Sequence, residues 1–368
     1  MSKITKYVGL DVHKDSISIA VAEEGRSEAR FLKRIPNDGS RLLRVLRTLG
    51  TLESLHCAYE AGPTGYGLYR LLSSKGVRCE VVAPSEIPIR KGRKVETDRV
   101  DARGLAHFLR SGNLVPIRIP DEAVEAMRDL VRGRTDSKEV EKAAKHRLSK
   151  FLLRHDRIYP GKTNWTNMHL DWIRRQSFEH EAQECVLREY LHAVERAREQ
   201  VERLGEALAR LVQDSALAPL VKALQAMRGI QLLTAASIAF ELIDLKRFAS
   251  APKLMGYLGL VPSEDSTGER RRQGSITKAG NKHIRRLLTE AAWNSRHKPK
   301  RTVHLRKRQE GVSPEVCEIA WKAQERLHHR YRSLSARGKR HQCVITAMAR
   351  ELAGFIWAVG QQKRLLAV

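Results

Sequence analysis

The stretch that most constrains the fold is Lys6–Ala22, Lys-Tyr-Val-Gly-Leu-Asp-Val-His-Lys-Asp-Ser-Ile-Ser-Ile-Ala-Val-Ala. Tyr7–Val12 is a short run of strand-forming residues, and Ser16–Ala22 alternates polar with apolar positions, as a half-buried strand does. His13-Lys14-Asp15 is the connecting turn, so the two strands form a hairpin. Asp11 falls among apolar residues near the end of the first strand, where an unpaired carboxylate is costly to bury. It either caps the turn or belongs to a site.

The segments that follow continue an α/β pattern. A third strand is expected around Ala29–Ile35, a helix over Ser40–Leu49, a short apolar strand over Leu55–Glu60, a helix over Tyr66–Lys75 and a strand over Arg78–Ala83. Glu60 closes its strand, and the carboxyl ends of strands are where open α/β sheets gather sites. The run Ala61-Gly-Pro-Thr-Gly-Tyr-Gly67 lacks the Lys-Ser/Thr of a phosphate-binding loop and reads as a turn. Thr97-Asp98-Arg-Val-Asp101-Ala-Arg103 then opens a helix, with Thr97 or Asp98 as N-cap. Asp98 and Asp101 share one helical face, so they require positive charge from Arg99, from Arg103 or from a divalent cation, unless they merely dress a solvated helix start.

Three antiparallel strands followed by βα units describe the ribonuclease H-like fold. In that fold, carboxylates from strand one, strand four and a later helix meet on metal. Asp11, Glu60, Asp98 and Asp101 arrive in that order.

The 368-residue chain is long enough for two or three domains. It carries 68 Lys plus Arg against 42 Asp plus Glu, a net charge of +26 that self-repels unless a polyanion offsets it. Nucleic acid is therefore the leading partner and a membrane surface the weaker one. No uninterrupted apolar run of spanning length and no signal peptide is evident. Cys57, Cys79, Cys185, Cys317 and Cys343 are scattered without a CxxC pair, which argues against a structural zinc site or disulfide framework and suits a reducing cytoplasm.

Residues 121–156 are expected to be helical, 157–177 irregular with exposed Trp165 and Trp172, and 179–213 a long charged helix. Leu187, Leu191, Val194, Val201, Leu204, Leu208 and Leu211 form a near-heptad stripe on that helix. It suits a coiled coil between copies, one arm of a helical hairpin, or packing on its own domain. Met227–Ala236 reads as helix, Gly turn and helix, either a helix-hairpin-helix-like unit facing phosphate or a plain helical turn. Pro262–Gly274 is a loop with adjacent hydroxyls at Ser266 and Thr267. From 270 to 308 there are 14 Lys/Arg and one acid, Glu290, which marks a phosphate-contacting surface. The residues assigned to nucleic acid are Arg93, Lys94, Arg270, Arg271, Arg272, Lys278, Lys282, Arg285 and Arg286. The rest of the chain continues as helices to about Val359.

The chain resembles the DEDD transposases of the insertion-sequence-110 type, the bridge-RNA-guided serine recombinases of bacterial mobile elements. The resemblance covers nearly the whole chain. It rests on Tyr7-Val-Gly-Leu-Asp11-Val-His-Lys, Tyr59-Glu60-Ala-Gly62, Lys94-Val-Glu-Thr-Asp98-Arg-Val-Asp101-Ala-Arg103, Met227-Arg-Gly-Ile230, Gly256-Tyr-Leu-Gly-Leu-Val-Pro262, Ser266-Thr-Gly268 and Ile276-Thr-Lys-Ala-Gly-Asn281. It implies an α/β plus all-α chain: a RuvC-like catalytic domain over 1–156, a helical or coiled-coil segment over 157–215, and a mainly helical transposase domain over 216–368. It further implies Mg²⁺ or Mn²⁺ on Asp11, Glu60, Asp98 and Asp101, a hydroxyl nucleophile before Gly268, and a composite site from two protomers. DNA ends, a structured guide RNA and a dimer or tetramer are the implied partners, in a bacterial, nucleoid-associated cytoplasmic setting. Position favours Thr267 as nucleophile, although the family carries serine there, and the chemistry of in-line attack favours Ser266. A metal-dependent junction nuclease without a covalent intermediate and a non-catalytic nucleic-acid-binding protein are the competing readings.

Overall fold

The computed structural model describes residues 3–88, 97–267, 270 and 272–362. It divides into two compact units, Met1–Ile119 and Pro120–Val368.

The first unit is built on β1 (Lys6–Val12), β2 (Ser16–Glu23) and β3 (Arg30–Pro36), then α1 (Gly39–Arg47), β4 (Leu55–Glu60), α2 (Gly67–Ser74), β5 (Arg78–Val82) and α3 (Asp98–Arg110). The sheet order is β3-β2-β1-β4-β5, with β1 antiparallel to β2 and parallel to β4, the ribonuclease H-like arrangement. Strand parity sorts the two faces. Ile17, Ile19 and Val21 pack with Leu42 and Leu46 of α1 and Leu72 of α2. On the opposite face Ala20 and Ala22 meet Ala102 and Ala106 of α3.

β2 departs from the expected half-buried strand, since Ser16 through Ala22 are all buried. Its alternation separates large from small side chains rather than buried from exposed ones. The small residues lie where α3 presses against the sheet. Gly9 carries this furthest: a Cβ there would stand 2.1 Å from the Ala102 carbonyl oxygen and 2.5 Å from the Ala106 nitrogen. Only glycine permits so close a helix–strand contact.

The second unit begins with α4 (Glu122–Arg154), α5 (Asn167–Arg174) and α6 (Glu181–Leu211). α4 lies in the second compact unit, where its apolar positions meet α6 and the helices beyond. Val124 and Val131 cluster with Leu208 and Val212, whereas Leu148 and Leu152 cluster with Leu187, so α4 and α6 run antiparallel as a helical hairpin. Leu187, Val194, Val201 and Leu208 of the α6 stripe are buried within the chain, whereas Leu211 is exposed. Trp165 and Trp172, expected to be exposed, are half-buried against the end of that hairpin and the short helix α5.

The remainder is α7 (Ala218–Gln225), α8 (Leu232–Leu242), α9 (Ala251–Tyr257), the two-stranded hairpin β6 (Pro262–Glu264) and β7 (Gln273–Ile276), α10 (Lys282–Ala292), α11 (Val303–Gln309), α12 (Pro314–Ala336) and α13 (His341–Gly360). Between α7 and α8 the chain turns at Gly229, whose φ is +84°. α13 is long and apolar enough to cross a membrane, but Ile345, Met348, Leu352 and Ile356 are buried in the helical core shared with α8, α9, α10 and α12.

Candidate functional site

The close fit of α3 on β1 determines what lies beside Asp11. Asp11 pairs across β1–β2 with Ser18, and two residues back Gly9 pairs with Ala20 and with Ala58 of β4. Period-two parity therefore puts Gly9, Asp11, Ser18, Ala58 and Glu60 on the face that α3 covers. α3 starts over the carboxyl end of β1. Thr97 is its N-cap, its side chain accepting from the Val100 N–H, and Asp98 and Asp101 fill the first turn, where the helix dipole favours acids.

Asp11 and Glu60 sense the neighbouring acids. Burial, with the neighbouring Asp98 and Asp101, holds the Asp11 carboxyl above its usual range against the lowering effect of His13. Burial raises Glu60 in the same way, reinforced by Asp11 and Asp101. Among the described residues, Arg99 and Arg103 have other partners. Arg99 lies over the Phe31 ring at 4.8 Å, and Arg103 donates to the Ala29 carbonyl at 2.7 Å and to Glu28 at 2.8 Å. Instead His13 Nε2 stands 3.1 Å from Asp11 Oδ2 and 3.6 Å from Asp98 Oδ1, with Arg34 3.5 Å from Asp98 Oδ2. In the sequence His13 reads as a turn residue and as part of the Tyr7–Lys14 motif; its place two residues beyond Asp11 is the usable signal.

Ligand atoms of Asp11, His13 and Asp98 all lie within 4.8 Å of one another. Hard carboxylate oxygens with a single imidazole fit a divalent cation of the Mg²⁺ or Mn²⁺ kind. Glu60 sits at the end of β4, before a turn held by the Tyr59 hydroxyl donating to the Gly65 carbonyl at 3.1 Å.

The hydroxyl loop belongs to the second unit. It is the tip of the β6–β7 hairpin, where Asp265 N–H donates to the Arg272 carbonyl at 2.9 Å and Thr267 pairs with Arg270. Ser266, Thr267, Arg270 and Arg272 are exposed. The Ser266 hydroxyl donates to Glu264 Oε1 at 3.0 Å, a contact the sequence reading missed. Two left-handed glycines secure the hairpin's base. A Cβ on Gly259 (φ +63°) would stand 2.3 Å from the Ala279 carbonyl oxygen, and one on Gly280 (φ +66°) 1.9 Å from that of Tyr257. Asn281 caps α10 through its Oδ1 and donates to Glu241 at 3.0 Å.

Lys278, Lys282 and Arg286 are exposed, as a phosphate-contacting surface requires. Arg285 differs: it is half-buried and donates to the carbonyls of Leu258 and Ala279 at 2.9 and 2.7 Å, so it ties α10 to the hairpin base rather than facing phosphate. Arg93, Lys94 and Arg271 lie outside the described residues.

Comparison with known proteins agrees with this layout. A transposase family model, of the DEDD IS110 type, matches residues 8–156, and the model described as transposase IS116/IS110/IS902 family matches residues 221–306. A Sinorhizobium fredii protein named "Putative transposase y4qE" is 46% identical over 360 residues, 97% of this chain and 89% of its own length. The Leptospira borgpetersenii "Transposase for insertion sequence element IS1533" is 30% identical over 339 residues, 91% of this chain and 98% of its own. With its ribonuclease H-like sheet, its acids in order and its helical second unit, the chain belongs to the IS110-type DEDD family of DNA transposases.

Proposed function

We propose that this transposase cuts DNA with Asp11, Glu60, Asp98 and Asp101 as a divalent-metal centre and with a hydroxyl of the 262–274 hairpin as nucleophile, and that a structured guide RNA selects the DNA. The observation that supports the reading is the gathering of Asp11, His13 and Asp98 within 4.8 Å at the end of β1 and the start of α3, with Glu60 of β4 near enough for Asp11 and Asp101 to raise its carboxyl. A divalent cation held there would neutralise the scissile phosphate and assist attack at phosphorus.

The remaining steps fall to the chain's own side chains. Glu264, which accepts from the Ser266 hydroxyl, supports Ser266 over Thr267 as nucleophile. In the proposed step the Ser266 oxygen bonds to phosphorus and the bond from phosphorus to the leaving nucleotide oxygen breaks. The serine proton passes to Glu264 and from there to the leaving oxygen. Arg270 and Arg272 offset the phosphorane charge. Reversal with a different strand end rejoins the DNA, so the bond energy is kept in the protein–DNA ester. A site assembled from two copies is part of the same reading and is supported by the family resemblance. The guide RNA is supported by the family resemblance and by the net charge of +26, which suits more than one polyanion.

The test is strand cleavage of an element-end substrate with and without the element's noncoding RNA. Asp11→Asn and Asp101→Asn should abolish cleavage and leave nucleic-acid binding largely intact. Full cleavage by either variant, or in EDTA, would remove the metal reading, and RNA-independent strand exchange would remove the guide.

A further inference from the structure

A second candidate binding site lies wholly within the C-terminal unit. A cleft of about 640 Å³ opens between α4, the start of α10 and Trp165, a size within the range of roughly 300–1,000 Å³ typical of ligand sites. Its lining holds five Lys/Arg against three Glu, so its balance is positive. Glu141 is already neutralised, with Lys138 and Lys145 on its two carboxylate oxygens.

Two independent features point to a ligand. Among the described residues, Arg134 Nε and His283 Nε2 are shut from solvent without a hydrogen-bond partner, and both residues line the cleft. Buried polar atoms left unpaired are costly. The other feature is Trp165, whose φ of +66° is a left-handed conformation that a bulky side chain rarely adopts. The strain is held in place: Trp165 N–H donates to His169 Nδ1 at 2.8 Å, and buried His169 is itself stacked on Trp172. Strained backbone of this kind persists where the surroundings over-determine it and concentrates at ligand sites. Here it sets a half-buried indole into the lining of a basic cleft, with Lys145 Nζ 5.2 Å from the ring centre.

We propose that this cleft binds an unpaired nucleotide, its base against Trp165 and its phosphate beside Lys142 and Arg286, where it would replace their exposed partners Glu139 and Glu290. An aromatic face beside cations is the arrangement that takes single-stranded nucleic acid with little sequence preference, since every base has a face to stack. The site is distinct from the acids and from the hydroxyl hairpin, and it stands or falls without any cleavage chemistry.

The test uses the full chain and short unstructured oligonucleotides carrying 5-iodouracil, one arm RNA and one arm DNA, photo-crosslinked and mapped by mass spectrometry. The expected result is a crosslink on Trp165 in at least one arm; the arm that crosslinks identifies the strand, and crosslinking in both assigns recognition to the shared phosphate and base. Trp165→Ala should weaken binding of that oligonucleotide by at least about fivefold, while Trp165→Phe keeps most of it. Lys142→Glu, at a side chain 66% exposed that contributes no packing, should weaken it as well and covers the case in which Trp165→Ala fails to fold. Crosslinks that all map outside the cleft in both arms, or unchanged affinity in Lys142→Glu, would overturn the proposal. Cleavage abolished by Asp11→Asn alongside either negative result would leave the metal reading standing.

Discussion

Gly9 of β1 and Ala102 of α3 approach so closely that a Cβ on the glycine would stand 2.1 Å from the alanine carbonyl oxygen. This contact lets a helix whose first turn bears two acids lie over a strand that bears a third. Gly9→Ala must push α3 away or distort β1. Such overpacking costs about 1–3 kcal/mol, and any outward shift of α3 separates Asp98 and Asp101 from Asp11. Thermal melting should show the loss, and Mn²⁺ affinity should fall with it. A variant with wild-type melting and wild-type Mn²⁺ affinity would show that the contact does not position the site.

The acids also make stability depend on pH and metal. A carboxyl whose folded pKa lies above its unfolded value carries no penalty below the unfolded pKa. The penalty grows as pH rises through the interval and is full above the folded pKa. Asp11 and Glu60 are both shifted in this direction. In metal-free buffer near neutral pH, Asp11→Asn should therefore melt above the wild type, and the difference should vanish as pH falls through the carboxylate range. Saturating Mn²⁺ should stabilise the wild type by about 2.7 kcal/mol at a hundred times the dissociation constant and leave Asp11→Asn unmoved. Calorimetric scans across pH, with and without Mn²⁺, check both signs.

Much of this site was legible in the sequence. Asp11 and Glu60 stood at strand ends, Asp98 and Asp101 behind an N-cap, and their order matched one fold. What was not legible depended on long-range packing. Ser16 and Ser18 read as solvent-facing because polarity was taken for exposure, whereas they are buried as small residues on β2. The α6 stripe advertised a partner but could not name it, and the partner is α4 of the same chain. Arg99 and Arg103 were the nearest cations in sequence, yet among the described residues the His13 imidazole stands beside Asp11 and Asp98, and Arg34 beside Asp98. The strain at Trp165 leaves no trace in composition.

At the hairpin, Ser266→Ala should abolish a denaturant-resistant protein–DNA adduct on a nicked suicide substrate. Thr267→Ala should retain it, and Glu264→Gln should slow its formation by roughly 10²–10⁴-fold, the usual effect of losing a positioned base. An adduct lost only in Thr267→Ala would make Thr267 the nucleophile. An adduct surviving in the double variant would place it elsewhere, with Ser275 next in line.

Gly280→Ala should damage the hairpin without touching the acids. The added Cβ would stand 1.9 Å from the Tyr257 carbonyl oxygen at a left-handed φ. Limited proteolysis should open the 262–276 segment and adduct formation should fall, with Mn²⁺ affinity unchanged. Joint loss of adduct and Mn²⁺ binding would indicate general unfolding instead.

If Arg270 and Arg272 each neutralise a phosphate, the log–log salt dependence of duplex DNA binding should flatten by roughly 0.9 per arginine removed. Anisotropy titrations of Arg270→Ala/Arg272→Ala across ionic strength read this directly. An unchanged slope would move the DNA surface off the hairpin.

The most direct measurement is a Mn²⁺ titration of the full chain followed by electron paramagnetic resonance of the free ion, comparing the wild type with Asp11→Asn and Asp98→Asn. Specific Mn²⁺ binding that is present in the wild type and lost in both variants, with their folds intact by circular dichroism, is the predicted result. Equal stoichiometry and affinity in all three proteins would contradict a metal centre built on β1 and α3.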